Sequence, residues 1–200
     1  MTESPPTDRE LLTQHATGDR DAFGELVRRH RDRMWRVALR TLGNQDDAAD
    51  ALQDALLSAY RGAAGYRGDA QVTTWLHRIV VNSCLDLARR RASRPTSPLT
   101  DAAADALPAV DVLSGREDSA MILVALRELP PEQAAAIVLV DVEGYPVAEV
   151  ATILDVPPGT VKSRCARGRA RLAERLQDLA PGNPGPRPPV QPKREDREAT

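Results

Sequence analysis

The chain has 200 residues, with 27 basic and 29 acidic side chains, a net charge of −2, 42% hydrophobic residues and only 3% aromatic ones. So few aromatic and β-branched residues argue against a β-sandwich or barrel, while the abundance of Leu, Ala, Arg, Glu and Asp favours helices. Its longest apolar runs, Ala120 to Leu126 and Ala134 to Val140, fall far short of the roughly 20 residues that cross a bilayer, so no membrane insertion is expected. Prolines divide the rest. Residues 1–9 are polar with two prolines, and disorder is expected there. Residues 10–92 contain no proline and form a first helical block. Within it, the spacing predicts a helix over Asp21 to Arg40, with Phe23, Leu26, Val27, His30, Met34, Val37 and Ala38 in one apolar stripe. Gly43-Asn44 breaks it. A second helix opens near Gln45 or Asp46 and is expected to turn Ala49, Leu52, Leu56, Leu57 and then Tyr60 inward.

The first turns of that second helix carry Asp46, Asp47, Asp50 and Asp54 with no basic residue among them. These acids suit a helix N-terminus; they also suit an acidic docking face, and composition alone leaves both readings open. A loop follows, with Gly62, Gly65 and Gly68 spaced by threes. The next helix, from Val72 to about Arg91, is expected to bury Trp75, Leu76, Ile79, Val80, Cys84, Leu85 and Leu87. Its end is basic, with Arg78, Arg89, Arg90, Arg91 and Arg94 against Asp86 alone. Adjacent arginines point in different directions round a helix, so part of this cluster faces solvent or a polyanion. Residues 93–118, with Pro95, Pro98, Pro108 and an excess of acids, read as a flexible linker. A second helical block spans 119–179. The Pro-rich tail, 180–200, is expected to be disordered.

The second block carries the clearest chemistry. Ser119 to Leu129 reads as an amphipathic helix ended by Pro130-Pro131, and a further helix runs from Pro131 to about Val142. Val147 to Leu154 forms another, Asp155-Val-Pro-Pro-Gly159 a tight turn, and Thr160 opens a last helix. This is a helix-turn-helix pattern. In the last helix Val161, Cys165, Gly168, Leu172, Leu176 and Leu179 make a packing stripe, and Lys162, Arg164, Arg167, Arg169, Arg171 and Arg175 cover the other faces. Such a helix can enter a major groove with its N-terminal residues near base edges. A solvated basic helix that binds acidic proteins or membranes is the plainer alternative, which the preceding helix and turn disfavour.

Other chemistry is not indicated. The N-terminus lacks the basic-then-apolar design of a signal peptide, so a cytoplasmic protein is expected. Cys84 and Cys165 offer no disulfide framework. His15, His30 and His77 have no metal-ligand spacing and read as surface or half-buried residues, so neither metal nor cofactor is expected. There is no Gly-rich phosphate loop, Gly-x-Ser-x-Gly elbow or His-Glu-x-x-His. A binding protein is expected, not an enzyme.

Three ordered segments resemble those of bacterial extracytoplasmic-function (ECF) sigma factors of the sigma-70 family. Asp47-Ala-Ala-Asp-Ala-Leu-Gln-Asp54 with the following Ala-Leu-Leu-Ser-Ala-Tyr-Arg61 resembles region 2.2. Thr74-Trp-Leu-His-Arg-Ile-Val-Val-Asn-Ser-Cys-Leu-Asp86 resembles regions 2.3 and 2.4. Gly144-Tyr-Pro-Val-Ala-Glu-Val-Ala, and Val156-Pro-Pro-Gly-Thr-Val-Lys-Ser-Arg-Cys-Ala-Arg-Gly-Arg-Ala-Arg-Leu172, resemble region 4.2. The wording around Cys84 and Cys165 is most similar to the SigM group. The resemblance implies an all-α chain of two small domains: region 2 over 10–92 and region 4 over 119–179. It implies docking of Asp47, Asp50, Gln53 and Asp54 on the β′ clamp helices of core RNA polymerase, with region 4 against the β flap. Trp75, Arg78, Asn82, Arg89, Arg90 and Arg91 would meet the promoter −10 element, although Trp75 could equally be core. Thr160, Lys162, Ser163, Arg164, Arg167 and Arg171 would read the −35 element. An anti-sigma factor is an implied partner. The chain departs from the family pattern at Ala49 and Asp54, where Glu is common, and at Leu56, where an aromatic is common. A conventional helix-turn-helix regulator that binds duplex DNA alone is the competing reading, and core-dependent transcription separates the two.

Overall fold

Thr7 starts the first helix. In the computed structural model, which describes residues 5–93 and 116–179 (backbone alone for 116–120 and 179), helix α1 spans Asp8–Ala16 and so begins inside the segment expected to be disordered. The cause is a capping box: the Thr7 side chain accepts from the Glu10 amide, and Glu10 accepts from the Thr7 amide at 2.7 Å. Arg29 then donates to the Pro6 carbonyl, and His30 meets Asp8 at 2.6 Å, which holds α1 on the next helix.

Helix α2 spans Arg20–Leu42, capped at its start by Asp19 and closed by Gly43 in the left-handed conformation. Helix α3 spans Gln45–Gly62 behind an Asn44 cap, a short 3-10 turn covers Ala63–Gly65, and helix α4 spans Val72–Ser93. The buried stripe of α3 differs from the expectation. Ala48, Ala51, Ala55 and Ala59 are fully buried with Leu52, whereas Ala49 is exposed, Leu56 half-buried, and Leu57 and Tyr60 are 48% and 45% exposed. Alanines let α2 and α4 approach α3 closely, and that close face turns the larger side chains outward. In α4, Leu76, Val80, Cys84 and Leu85 are buried as expected, joined by Val81 and His77, while Trp75, Ile79 and Leu87 are half-buried.

The second block opens with α5, Arg116–Arg127. Helix α6, Pro131–Ile137, starts on a proline at its first turn, and a π turn over Val138–Val142 lengthens it. Helices α7, Val147–Leu154, and α8, Pro158–Leu179, form the helix-turn-helix. The residue that makes the turn is Asp155, at φ 51°, while Gly159 lies inside the first turn of α8. Thr160 is therefore within α8 and does not open it. Among the described residues all regular structure is helical. The expected linker and tail lie outside the described residues, save for the ends of α4 and α5.

The two blocks share one apolar core. Val138 and Leu139 of the π turn are fully buried with side chains of the first block, and α5 and α6 pack on α2 while α6 and α7 pack on α4. Gly43 is the tightest approach: a Cβ there would stand 2.7 Å from the Cα of Arg127 on α5.

Candidate nucleic-acid interface

Helix α8 sorts its side chains by face. Val161, Cys165 and Gly168 are buried, Leu172 and Leu176 half-buried, and Lys162, Ser163, Arg167 and Arg171 are exposed; Thr160 and Arg164 lie half-buried at the edge. Gly168 has a packing reason, since a Cβ there would meet Cδ1 of Ile137 at 2.5 Å. Arg169 forms two hydrogen bonds to Asp141, at 2.9 and 2.7 Å, and Arg175 pairs with Glu128. Lys162, Arg164, Arg167 and Arg171 have no ion pair among the described residues. Arg167 instead donates to the carbonyl and hydroxyl of Ser163, at 3.2 and 3.3 Å. The helix thus holds two arginines against its own fold and leaves four cations without an ion pair among the described residues: Lys162 flanks the buried face on one edge, and Arg164, Arg167 and Arg171 share the opposite side. That side can neutralise phosphates, and its first turns can reach base edges.

A second site lies at the start of α4. Trp75, Arg78 and Asn82 follow at steps of three and four and share a face; Trp75 is half-buried and the other two are exposed. The Trp75 ring stands 5.5 Å from that of Tyr66, whose hydroxyl donates to the Ala70 carbonyl and closes the glycine-spaced loop. A cavity of about 580 Å³ opens here, lined by Tyr66, Arg67, Thr74, Trp75 and Arg78, with Glu149, Thr152 and Ile153 of α7 on its far wall. Trp75 is therefore neither pure core nor fully open.

The acids of α3 meet the arginines of α4. Asp50 and Gln53 are exposed, but Asp47 is only 9% exposed, so it does not stand on an open docking face. Burial raises the Asp47 carboxyl above its usual range, and its partner Arg91 works against that rise. Arg90 donates to Asp54 at 2.9 Å, and Arg89 pairs with Asp86 at 3.0 Å. The candidate docking acids and the terminal arginines of α4 thus occupy one surface. Sequence reasoning missed what lies beside it: an apolar groove between α2 and α3, of about 770 Å³, lined by Phe23, Val27, Trp35, Leu52, Leu56, Leu57 and Tyr60. The signal was present, because α3 carries more large apolar residues than one alanine-lined face can bury.

His77, expected at or near the surface, is 1% exposed. Its Nδ1 lies 2.9 Å from the Tyr145 hydroxyl, which donates when the ring is neutral and protonated on Nε2. Beside it Arg33 binds the buried Glu143 carboxylate at 2.7 Å. Burial, above all, lowers the His77 pKa to about 4. Burial also pushes the Cys84 thiol up to about 12, far from reactivity at neutral pH. Among the described residues no group of three His, Cys, Asp or Glu side chains is placed to hold a metal, and no helix is long and apolar enough to cross a membrane.

With this geometry in place, comparison with known proteins is informative. Residues 26–94 match Sigma-70 region 2, and residues 119–172 match Sigma-70, region 4. The ECF RNA polymerase sigma factor SigM of Mycobacterium tuberculosis is 51% identical over 176 residues, 88% of each chain. The ECF RNA polymerase sigma-E factor of Escherichia coli is 30% identical, over 86% of this chain and 96% of that one. Among solved structures, CnrH in complex with the cytosolic domain of CnrY matches with a TM-score of 0.61 at 28% identity, covering 86% of this chain and 99% of that one. The sigma factor RpoE of Bartonella quintana, in complex with the anti-sigma factor NepR, shares the fold, with a TM-score of 0.58 at 23% identity, covering 78% of this chain and 96% of that one.

Proposed function

The chain belongs to the ECF branch of the sigma-70 family, and from that premise we propose how its surfaces divide the work of a sigma factor. As a member of that family it binds core RNA polymerase, recognises −10 and −35 promoter elements and directs initiation there, leaving catalysis to the polymerase.

Region 4 reads the −35 element through α8. Lys162, Ser163 and Arg164, near its N-terminal end, lie at base edges with Thr160, and Arg167 and Arg171 hold phosphates. The observation that carries this reading is the division of cations on α8: Arg169 and Arg175 are tied to carboxylates, and Lys162, Arg164, Arg167 and Arg171 have no ion pair among the described residues. A bidentate arginine discriminates its guanine by roughly 1–3 kcal/mol.

Region 2 takes the −10 element at the loop and the start of α4. A base extracted from the duplex costs a few kcal/mol. Stacking on an aromatic ring returns about 1–3 kcal/mol per base, which Trp75 and Tyr66 are placed to supply. Arg78 and Asn82 continue the same face. The exposed acids Asp50 and Asp54, with Gln53 and the apolar groove beside them, dock on the β′ clamp helices; Asp47 serves there from beneath the surface. Steering by such acids is salt-sensitive. Region 4 rests on the β flap. Residues 94–115 span at most about 75 Å when extended, so the regions reach two promoter elements once their shared core opens. The chain acts in the cytoplasm, where an anti-sigma factor covers these surfaces until a signal releases it. That two of the matching structures are complexes with another protein supports this reading.

Transcription tests it. Core polymerase plus this chain initiates from a promoter pool, and Asp50→Arg with Asp54→Arg abolishes core binding while the helical spectrum stays unchanged. Arg164→Ala weakens −35 selection. Silence across the pool, with tight binding of the free chain to palindromic duplex, would instead make it a conventional regulator.

A further inference from the structure

Two sets of arginines near the ends of α4 differ in their pairing. Arg89, Arg90 and Arg91, at the end of α4, each face a carboxylate: Asp86 at 3.0 Å, Asp54 at 2.9 Å, and Asp47. Arg9, Arg67 and Arg78 are exposed and have no ion pair among the described residues. Arg67 and Arg78 line the cavity that holds Tyr66 and Trp75. Arg9 reaches the same loop from α1. Gly68 stands at φ +81°, and a Cβ there would lie 3.0 Å from Nη2 and 3.1 Å from Cζ of Arg9. The guanidinium of Arg9 therefore lies against the loop backbone at Gly68, whose positive φ favours glycine. Two carboxylates also line the cavity, Asp69 and Glu149. Glu149 belongs to α7 and leaves with region 4 when that region takes the −35 element.

We propose that Arg9, Arg67 and Arg78 are the phosphate-binding rim for the melted −10 strand, and that the arginines ending α4 brace the acidic docking face, Arg90 and Arg91 through Asp54 and Asp47 of α3. The inference rests on the promoter reading above and gives Arg89, Arg90 and Arg91 a part other than the −10 contact that the resemblance implied. Its physical basis is charge compensation. A paired arginine already has its charge partly offset by a carboxylate, so it attracts a phosphate less; the effect is small at the exposed Arg89 and Arg90 pairs and largest at Arg91. Arg91 has a further tie, since its departure would leave the nearly buried Asp47 without the cation that offsets its burial. A free guanidinium loses only water. Placed beside two aromatic rings, three such groups form the combination that holds single-stranded nucleic acid, a cationic track with stacking surfaces. Arg9, on a helix outside the residues matched to region 2, enters the site only through the fold.

The salt dependence of strand binding tests the assignment. Holoenzyme is reconstituted from the full chain and saturating core polymerase, and titrated with a short fluorescent single-stranded DNA of mixed sequence. Core alone gives the background. Each phosphate contact on a single strand contributes about 0.7 to the slope of log K against log salt. Arg9→Ala and Arg67→Ala are each expected to lower the slope by about that amount, and Arg9→Lys to keep it. The triple variant Arg89→Ala, Arg90→Ala, Arg91→Ala is expected to keep the slope and to weaken core binding several-fold in a separate titration. Should the triple variant lose its helical spectrum, Arg90→Ala alone, at an exposed pair, answers in its place. An unchanged slope in the Arg9 and Arg67 variants, or a lowered slope in the α4 variants, overturns the assignment. If unsubstituted holoenzyme adds no salt-dependent binding over core, the promoter reading itself falls and this inference with it.

Discussion

Region 2 and region 4 solve the same packing problem with different materials. Region 2 builds on three long helices, and its closest contacts run along the alanines of α3. Region 4 uses short helices, a π turn and one long basic helix whose buried face is Val161, Cys165 and Gly168. The difference shows in their charges. On α4 the terminal arginines meet acids of α3 and of their own helix, so charge there closes the fold. On α8 Arg169 and Arg175 do so, and Lys162, Arg164, Arg167 and Arg171 have no ion pair among the described residues. Runs of arginine that look alike in sequence therefore have different parts, and the carboxylates across from them decide which.

The comparison can be broken first where the regions share a core. Leu139 is fully buried against both. Leu139→Ala is expected to cost about 2–5 kcal/mol in denaturant unfolding, with both regions losing stability together; a loss confined to region 4 would mean that the regions fold independently. Acid provides the next lever. Burial holds the His77 pKa at about 4, below its ordinary value near 6.5. When the core opens, the ring takes a proton that the packed ring refuses. The contribution of neutral His77 is thus present above about pH 6.5 and is lost as pH falls toward 4, on the order of 2–3 kcal/mol. His77→Gln is expected to flatten that part of the stability–pH curve relative to the unsubstituted chain, and an unchanged difference across this window would remove His77 from the response.

Gly43 offers a more local test. Alanine there must adopt a left-handed backbone and displace the backbone of Arg127. Gly43→Ala is expected to lower stability by about 2 kcal/mol and to loosen α5, read as faster amide exchange in α5 and the end of α2. The smallest effect sharpens the charge comparison. Arg169→Ala breaks a largely exposed pair with Asp141 and is expected to change stability by a few tenths of a kcal/mol, without altering −35 selection. Arg167→Ala is expected to leave stability unchanged and to weaken promoter binding at all sequences alike.

Much of this was legible along the chain. The break at Gly43, Pro131 at a helix start and the apolar spacing of α2 and α4 are local signals, and the helices follow them; the caps Asp19 and Asn44 are just as local, but only the structure brought them out. The capping box at Thr7 and Glu10 was equally local, and the expectation of disorder over 1–9 passed over it. What sequence periodicity could not resolve was α3, where alanines and leucines both repeat at helical spacing; which face turns inward depends on how closely α2 and α4 approach. Likewise Asp47 reads as one more surface acid until Arg91 and its burial are seen.

Sequence alone determined the helices, their order, the helix-turn-helix and the residue types able to meet DNA, because capping, periodicity and charge act over a few neighbouring residues. Tertiary structure alone decided which cations remain unpaired among the described residues, that Arg9 reaches the Gly68 loop, that His77 is sealed beneath Tyr145, and that an apolar groove opens between α2 and α3. Those outcomes depend on side chains far apart in the chain that meet only after the helices pack, where burial and opposing charge settle which groups stay free to bind.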